Sequence, residues 1–254
     1  MSSQAIQQTR SIAQQPATKK ARSFTYEASL NIKEVLSFYA KRITDIVLAS
    51  MMLVAFAPIM LVVAILIKLD SPGAALFIQK RVGTKRTLRR GLLTCEEQVF
   101  GCYKFRTMKQ NADSAIHQAH IKAFISGELE GSNDDKAKFK LNRDPRITRL
   151  GHILRKTSLD ELPQLFNVIK GEMSLVGPRP VPTYEVAEYD LWHRERLAAL
   201  PGITGLWQVE GRSQVTFEDM VRMDIRYIRN QSLVYDIKLL FLTFFAVLAS
   251  KGAK

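Results

Sequence analysis

Acidic residues are in short supply. Asp and Glu number 24 against 37 Lys and Arg, a formal net charge of +13 at pH 7. A surplus of that size calls for an anionic partner: nucleic acid, an acidic lipid surface or a phosphorylated substrate. Cysteine is nearly absent, and Cys95 and Cys102 alone cannot build a disulfide framework, so passive thiols in a reducing compartment are expected. These two with His117 and His120 make a poor zinc site, because C-x6-C and H-x2-H are not ligand spacings. Glycine (13) and proline (9) are too few for collagen-like or wholly disordered chains. With 254 residues the chain can bury a core without staples.

What the chain does have is a run of 22 residues, Ile46 to Ile67, without a charge. As a helix it would cover about 33 Å, enough for a bilayer core. It starts too deep in the chain and is too long for a signal peptide, so a membrane segment is expected. Pro58 stands near its middle, where it removes one backbone donor and predicts a kink. Both flanks are basic: residues 1 to 42 carry seven Lys or Arg against two acids, and Lys80 to Arg90 carry six against none. Basic flanks mark the cytoplasmic side. Two of them around a central proline favour a helix-break-helix hairpin over a kinked span, which stays the alternative.

Residues 1–25 are polar and lack apolar periodicity, predicting a disordered tail. Residues 26–42 form an amphipathic helical lead-in and 43–68 the re-entrant helix. The remainder, 69–254, is a cytoplasmic domain. Within it Asp70-Ser71-Pro72-Gly73 signals a turn, Ala75 to Ile78 a short strand and Val99 to Phe105 its partner. A helical insert is expected over about 109–140, and Ile237 to Leu248, too short to span comfortably, reads as an interfacial helix.

Three stretches could carry chemistry. Asp160-Glu161-Leu162-Pro163 opens an apolar pattern of Leu162, Leu165, Phe166 and Ile169 that ends at Gly171. Two carboxylates at a helix N-terminus can simply cap it, or can hold a divalent cation and face phosphates. Gly177-Pro178-Arg179-Pro180 stiffens an arginine between prolines, and Pro201 to Gly205 with Gly211-Arg212 forms a second such loop. A planar guanidinium donates two hydrogen bonds to one phosphate. Lys104-Phe105-Arg106 is a weaker basic site.

Together these resemble one family. "LRKTSLDELPQLFNVIKGEMSLVGPRP" (154–180), "KFRTM" (104–108) and "PGITGLWQVEGR" (201–212) are similar to the bacterial sugar transferases, the monotopic phosphoglycosyl transferases. The likeness covers roughly residues 40–254. It implies transfer of a sugar 1-phosphate from a nucleotide diphosphate sugar, by default a UDP-hexose, to undecaprenyl phosphate. The nucleoside monophosphate leaves, and the product enters exopolysaccharide, O-antigen or related glycan assembly. It further implies that Asp160 is the nucleophile, forming an aspartyl phosphosugar, that Glu161 completes the dyad, and that Mg2+ binds there. Arg155, Arg179, Arg212, Lys104 and Arg106 fall where phosphate or nucleotide contacts are expected. The implied fold is α+β and mostly helical: a monotopic protein with a re-entrant N-terminal hairpin, amphipathic interfacial helices and a small β element. It would sit on the cytoplasmic face of the bacterial inner membrane, against anionic lipid and without nucleic acid, with a homo-oligomer left open. The chain departs from the family in having Ala57-Pro58 where many members have Ser-Pro, and in its longer segments 84–99 and 109–140. The rival reading is a non-catalytic, membrane-anchored anion-binding or scaffold protein.

Overall fold

The computed structural model describes residues 25–109, 115–128, 144–211 and 215–248. The expected tail lies outside these but for residue 25, as do part of the expected insert and Arg212. The architecture is α+β and mostly helical, with helices packed around a four-stranded antiparallel sheet.

The first element, β1 (Thr25–Ser29), corrects the sequence reading, which made residues 26–42 a helical lead-in. These residues instead pair antiparallel with Leu92 to Glu96 of a hairpin, whose edge would otherwise be open. Helix α1 (Ile32–Asp70) follows as one element of 39 residues rather than a separate lead-in and membrane helix. A reciprocal capping box starts it: Asn31 Oδ1 accepts from the Glu34 amide at 3.0 Å, and Glu34 Oε2 accepts from the Asn31 amide at 2.9 Å. The helix continues through Pro58 without a change of secondary structure. A proline removes one ladder hydrogen bond and leaves the turns on either side intact, so the expected break is not present as an interruption of the helix. By length and composition α1 can cross a membrane. Most of its apolar side chains are exposed, Val54 at 78% and Met51 at 63%.

Strands β2 (Leu76–Arg89) and β3 (Leu92–Phe105) form an antiparallel hairpin from Leu76↔Phe105 to Arg89↔Leu92. The expected pair 75–78 and 99–105 is its base, and the longer segment 84–99 is its outer half. At the tip the Leu30 amide donates to Gly91 O at 2.7 Å, and at the base the Arg106 amide donates to Ala75 O at 2.8 Å.

Helix α2 (Ala115–Ile125) is the described part of the insert, followed by α3 (Arg149–Thr157), α4 (Gln164–Lys170) and β4 (Ser174–Val176). Then come β5 (Val181–Pro182), α5 (Thr183–Val186), β6 (Gly202–Thr204), α6 (Phe217–Arg229) and α7 (Leu233–Leu248). Sheet order is β1-β3-β2-β5, and β4 and β6 form a separate parallel pair. The main core joins Ala49 of α1 to Phe100 and Cys102 of β3, Leu165 and Val168 of α4, Val176 of β4, and Leu239 of α7. Another cluster joins Val63 and Ile67, near the C-terminal end of α1, to Phe105 and Leu154. The domain therefore packs against α1 near its middle and again near its C-terminal end. Arg42 donates to Val168 O at 2.7 Å and Ile169 O at 2.9 Å, serving the last carbonyls of α4. Arg106 donates to Ser71 O at 2.7 Å and to Pro72 O, serving the C-terminal end of α1.

Candidate active site

The acidic pair occupies a corner between two helices. Helix α3 ends at Ser158, whose φ of 58° is left-handed, a conformation few non-glycine residues adopt. The chain then makes one 3-10 turn, Leu159–Glu161, and α4 starts only at Gln164. Neither Ser158 nor Pro163, at the two cap positions, makes a side-chain capping hydrogen bond. The capping alternative is thereby corrected: the acids stand in the turn before the helix. The predicted apolar face of α4 is also rearranged. Phe166 and Ile169 are exposed, whereas Gln164 and Asn167 are buried. Asn167 explains the exchange. Its Oδ1 accepts from the Tyr103 amide at 3.0 Å and its Nδ2 donates to Gly101 O at 2.7 Å, docking α4 on the edge of β3.

That docking brings β3 to the acids. Glu161 Oε1 accepts from Lys104 Nζ at 2.6 Å and from Arg179 at 3.3 Å. Asp160 is 7% exposed and accepts no hydrogen bond from the described residues. Burial raises its carboxyl above the usual range and the charge of Glu161 adds to this, while Lys104, Arg155 and Arg179 oppose it. Arg155 donates to Thr107 Oγ1 at 3.0 Å and belongs to the same charge cluster.

A shallow, open cleft is lined by Arg81, Lys104, Glu161, Gln164, Arg179 and Ile203, among others. Asp160, next in sequence to Glu161, is not among the lining residues. Arg179 Nε is buried without a hydrogen-bond partner. Its loop interlocks with the second motif loop: the Gly177 amide donates to Thr204 O at 2.9 Å and the Gly202 amide to Pro178 O at 2.8 Å. This approach requires glycine, since a Cβ on Gly177 would lie 2.3 Å from Leu200 O.

The structure thus brings Lys104, Arg155 and Arg179, three of the basic residues that the family resemblance marked as phosphate or nucleotide contacts, to the acidic pair. Arg106 does not, because its guanidinium is engaged by the carbonyls of Ser71 and Pro72, just past the end of α1. Arg212 lies outside the described residues. Arg81 and Gln164 are additions. Arg81 donates to Pro180 O at 2.8 Å, and burial together with the like charge of Arg179 lowers its basicity. Its only local signal was membership of the basic run 80–90, which read as a membrane flank. His117 of α2 lies 2.7 Å from the Tyr184 hydroxyl. Burial, reinforced by Arg81 and Arg146, lowers the His117 pKa to about 4, keeping the ring neutral. Cys95 and Cys102 are buried and free.

The arrangement can therefore place a carboxylate against a bound polyanion whose charge is met by three or four cations. A family model described as bacterial sugar transferase matches residues 36–250. Similar curated proteins include an uncharacterized sugar transferase of Haemophilus influenzae, 41% identical over 223 residues, 88% of this chain and 44% of that protein. The exopolysaccharide production protein ExoY of Sinorhizobium fredii is 38% identical over 214 residues, 84% of this chain and 88% of its own length. The undecaprenyl-phosphate galactose phosphotransferase of Salmonella typhimurium is 40% identical over 235 residues, 91% of this chain and 46% of that protein. The chain thus spans less than half of two of these relatives and most of the third.

Proposed function

The chain belongs to the bacterial sugar transferase family, and from that premise we propose that it is a phosphoglycosyl transferase that moves a hexose 1-phosphate from a UDP-hexose to undecaprenyl phosphate. The observation that carries the reading is the Asp160-Glu161 corner with Lys104 and Arg179 on its outer carboxylate. The name of the Salmonella relative supplies the acceptor and a hexose, and that of ExoY an exopolysaccharide pathway.

In the first displacement an Asp160 oxygen attacks the sugar-bearing phosphorus. The bond from that phosphorus to the bridging oxygen breaks, and UMP leaves with the electron pair. In the second, an oxygen of undecaprenyl phosphate attacks the same phosphorus, forming the lipid diphosphate sugar and restoring the carboxylate. Dividing the transfer lets a water-soluble donor and a lipid acceptor use one site in turn. Lys104, Arg81, Arg155 and Arg179 offset the charge that accumulates as a carboxylate approaches a diphosphate. Glu161 holds Lys104 and Arg179 in place until the donor competes for them.

The family resemblance also implies Mg2+. Two adjacent carboxylates suit an ion that commonly takes one or two carboxylates and completes its shell with substrate phosphate oxygens and water. Asp160 and Glu161 would hold it, and when bound it would screen the diphosphate from the nucleophile.

The same reading puts the domain on the cytoplasmic face of the inner membrane, with α1 bending at Pro58 in the bilayer so that it enters and returns. Two observations support this. Both flanks of the apolar segment are basic. Its two ends are also held by one domain, through Arg42 and Arg106. Exposed apolar side chains on α7 (Val234, Ile237, Phe241, Phe244) suit an interfacial helix.

The test is incubation with UDP-hexoses alone, in detergent, followed by intact-protein and peptide mass spectrometry. The expected result is up to one equivalent of UMP and a hexose phosphate on Asp160. Full turnover with no adduct at Asp160 points instead to direct attack by the lipid phosphate. Absence of UMP release with the whole donor panel favours the non-catalytic reading.

A further inference from the structure

Where the loop carrying Arg179 leaves β4 lies a buried polar cluster that the reaction does not use. Lys41 and Asp45, one turn apart on α1, face Asp236 of α7 and Tyr227 of α6, and all four are less than 10% exposed. Lys41 Nζ donates to Asp236 Oδ2 at 2.6 Å and to Val176 O at 3.3 Å. The Tyr227 hydroxyl is 2.9 Å from Val176 O and 2.7 Å from Asp236 Oδ1. Asp45 Oδ1 accepts from the Leu175 amide at 3.2 Å. Three helices thus converge on two consecutive residues of β4, Leu175 through its amide and Val176 through its carbonyl.

Burying an ammonium and two carboxylates is not an economical way to stabilise a fold, because well-packed apolar residues of similar volume usually serve as well or better. What such residues cannot do is fix a carbonyl in position. Val176 is three residues from Arg179, and the intervening chain has little slack. The Gly177 amide is bonded to Thr204 O, Pro178 has a locked φ and its carbonyl accepts from Gly202. A shift of Val176 therefore passes to Arg179, and misplacement of about 1 Å at a phosphate clamp can cost about a hundredfold in rate.

We infer that Lys41, with Tyr227 and Asp236, is a positioning residue for Arg179, so that the membrane helix itself sets the geometry of the donor phosphate clamp. The inference rests on the proposed role of Arg179 in donor binding. Lys41 touches no substrate; it acts through the Val176 carbonyl.

The experiment is a double-mutant cycle on the full chain in detergent, with UDP-galactose and UDP-glucose as donors, undecaprenyl phosphate as acceptor and UMP release as readout. Lys41→Met is combined with Arg179→Lys. Tyr227→Phe, which removes only a hydroxyl, is run in parallel in case the lysine variant does not fold. Each hub substitution is expected to lower kcat/KM for the donor at least fivefold alone, but less than twofold in the Arg179→Lys background, because the guanidinium whose position matters is already gone. Equal losses in both backgrounds would overturn the inference and reduce the hub to fold stability. The underlying reading fails differently: an Arg179→Lys enzyme with wild-type kcat/KM would remove Arg179 from donor binding, and the role of the hub would fall with it. A wild-type chain that releases no UMP would overturn the proposed transfer itself.

Discussion

Gly202 passes so close to Gly177 that a β-carbon on Gly202 would stand 2.1 Å from the Gly177 amide nitrogen. The contact locks the loop bearing Arg179 to the loop at the floor of the cleft. Gly202→Ala must push the two backbones apart, an overpacking effect of about 1–3 kcal/mol. The expected outcome is a lowered melting temperature together with UMP release reduced by more than tenfold, measured by thermal unfolding and turnover on the same preparation.

Lys104 offsets the burial that raises the Asp160 carboxyl. A nucleophilic carboxylate must be ionised, so the rate should fall as pH drops through the Asp160 pKa. Removing Lys104 takes away charge that favours ionisation, which raises that pKa further. The acid limb of kcat/KM is therefore expected to move to higher pH in Lys104→Met, and a pH–rate profile in detergent measures the displacement. An unmoved limb would separate Lys104 electrically from the nucleophile.

Glu161 contacts both Lys104 and Arg179, so its substitution should affect the two half-reactions unequally. Glu161→Gln keeps the shape and loses the charge. We expect turnover to fall more than donor-only adduct formation, the former read as UMP release with acceptor present and the latter by mass spectrometry.

Arg106 and Arg179 were both candidate phosphate contacts in the sequence, Arg179 the stronger, and the structure separates them. Arg106→Ala should lower the melting temperature while leaving the donor KM within twofold, because its partners are the carbonyls of Ser71 and Pro72 in the turn that follows α1. Arg179→Lys keeps charge but loses the planar fork, and kcat/KM should fall more than tenfold, about 1.4 kcal/mol or more. Steady-state kinetics on the two variants makes the contrast.

The path of α1 can be followed by labelling. Lys33 and Asp70 are exposed near its two ends, and Cys95 and Cys102 are fully buried, so single cysteines at 33 and 70 can be read in the native background. Membrane-impermeant maleimide should label neither in intact cells and both after permeabilisation. Labelling of one alone in intact cells would mean that the helix crosses.

Much of the site was legible because its residues are carried by contiguous motifs: Asp160, Glu161 and Arg179 lie within one stretch of 27 residues, 154–180. Arg81 was not, since a strand residue meets Pro180 only through the β2–β5 pairing, and its neighbours displayed nothing but charge. Asn167 was hidden inside an apolar helical pattern, because burial of an amide depends on the backbone of another element. Periodicity read residues 27–31 as helix, whereas the partner that makes residues 25–29 a strand lies more than sixty residues away. The hairpin was visible only at its apolar base, as the basic outer half lacks the alternation that marks a half-buried strand.

Helix α1 and the β2–β3 hairpin share both their ends, one at Leu30 and Gly91 and the other where Arg106 meets Ala75 and Ser71. They form a closed frame with a helical side of 39 residues and a strand side of 14. The two sides do not lengthen in common steps. One helical turn adds about 5.4 Å in 3.6 residues, whereas a strand gains about 3.4 Å per residue and reverses its faces at every odd step. No short insertion extends both sides equally while keeping Lys104 on the face that meets Glu161. The length of α1 is consequently tied to the register of β3, the strand that carries Lys104.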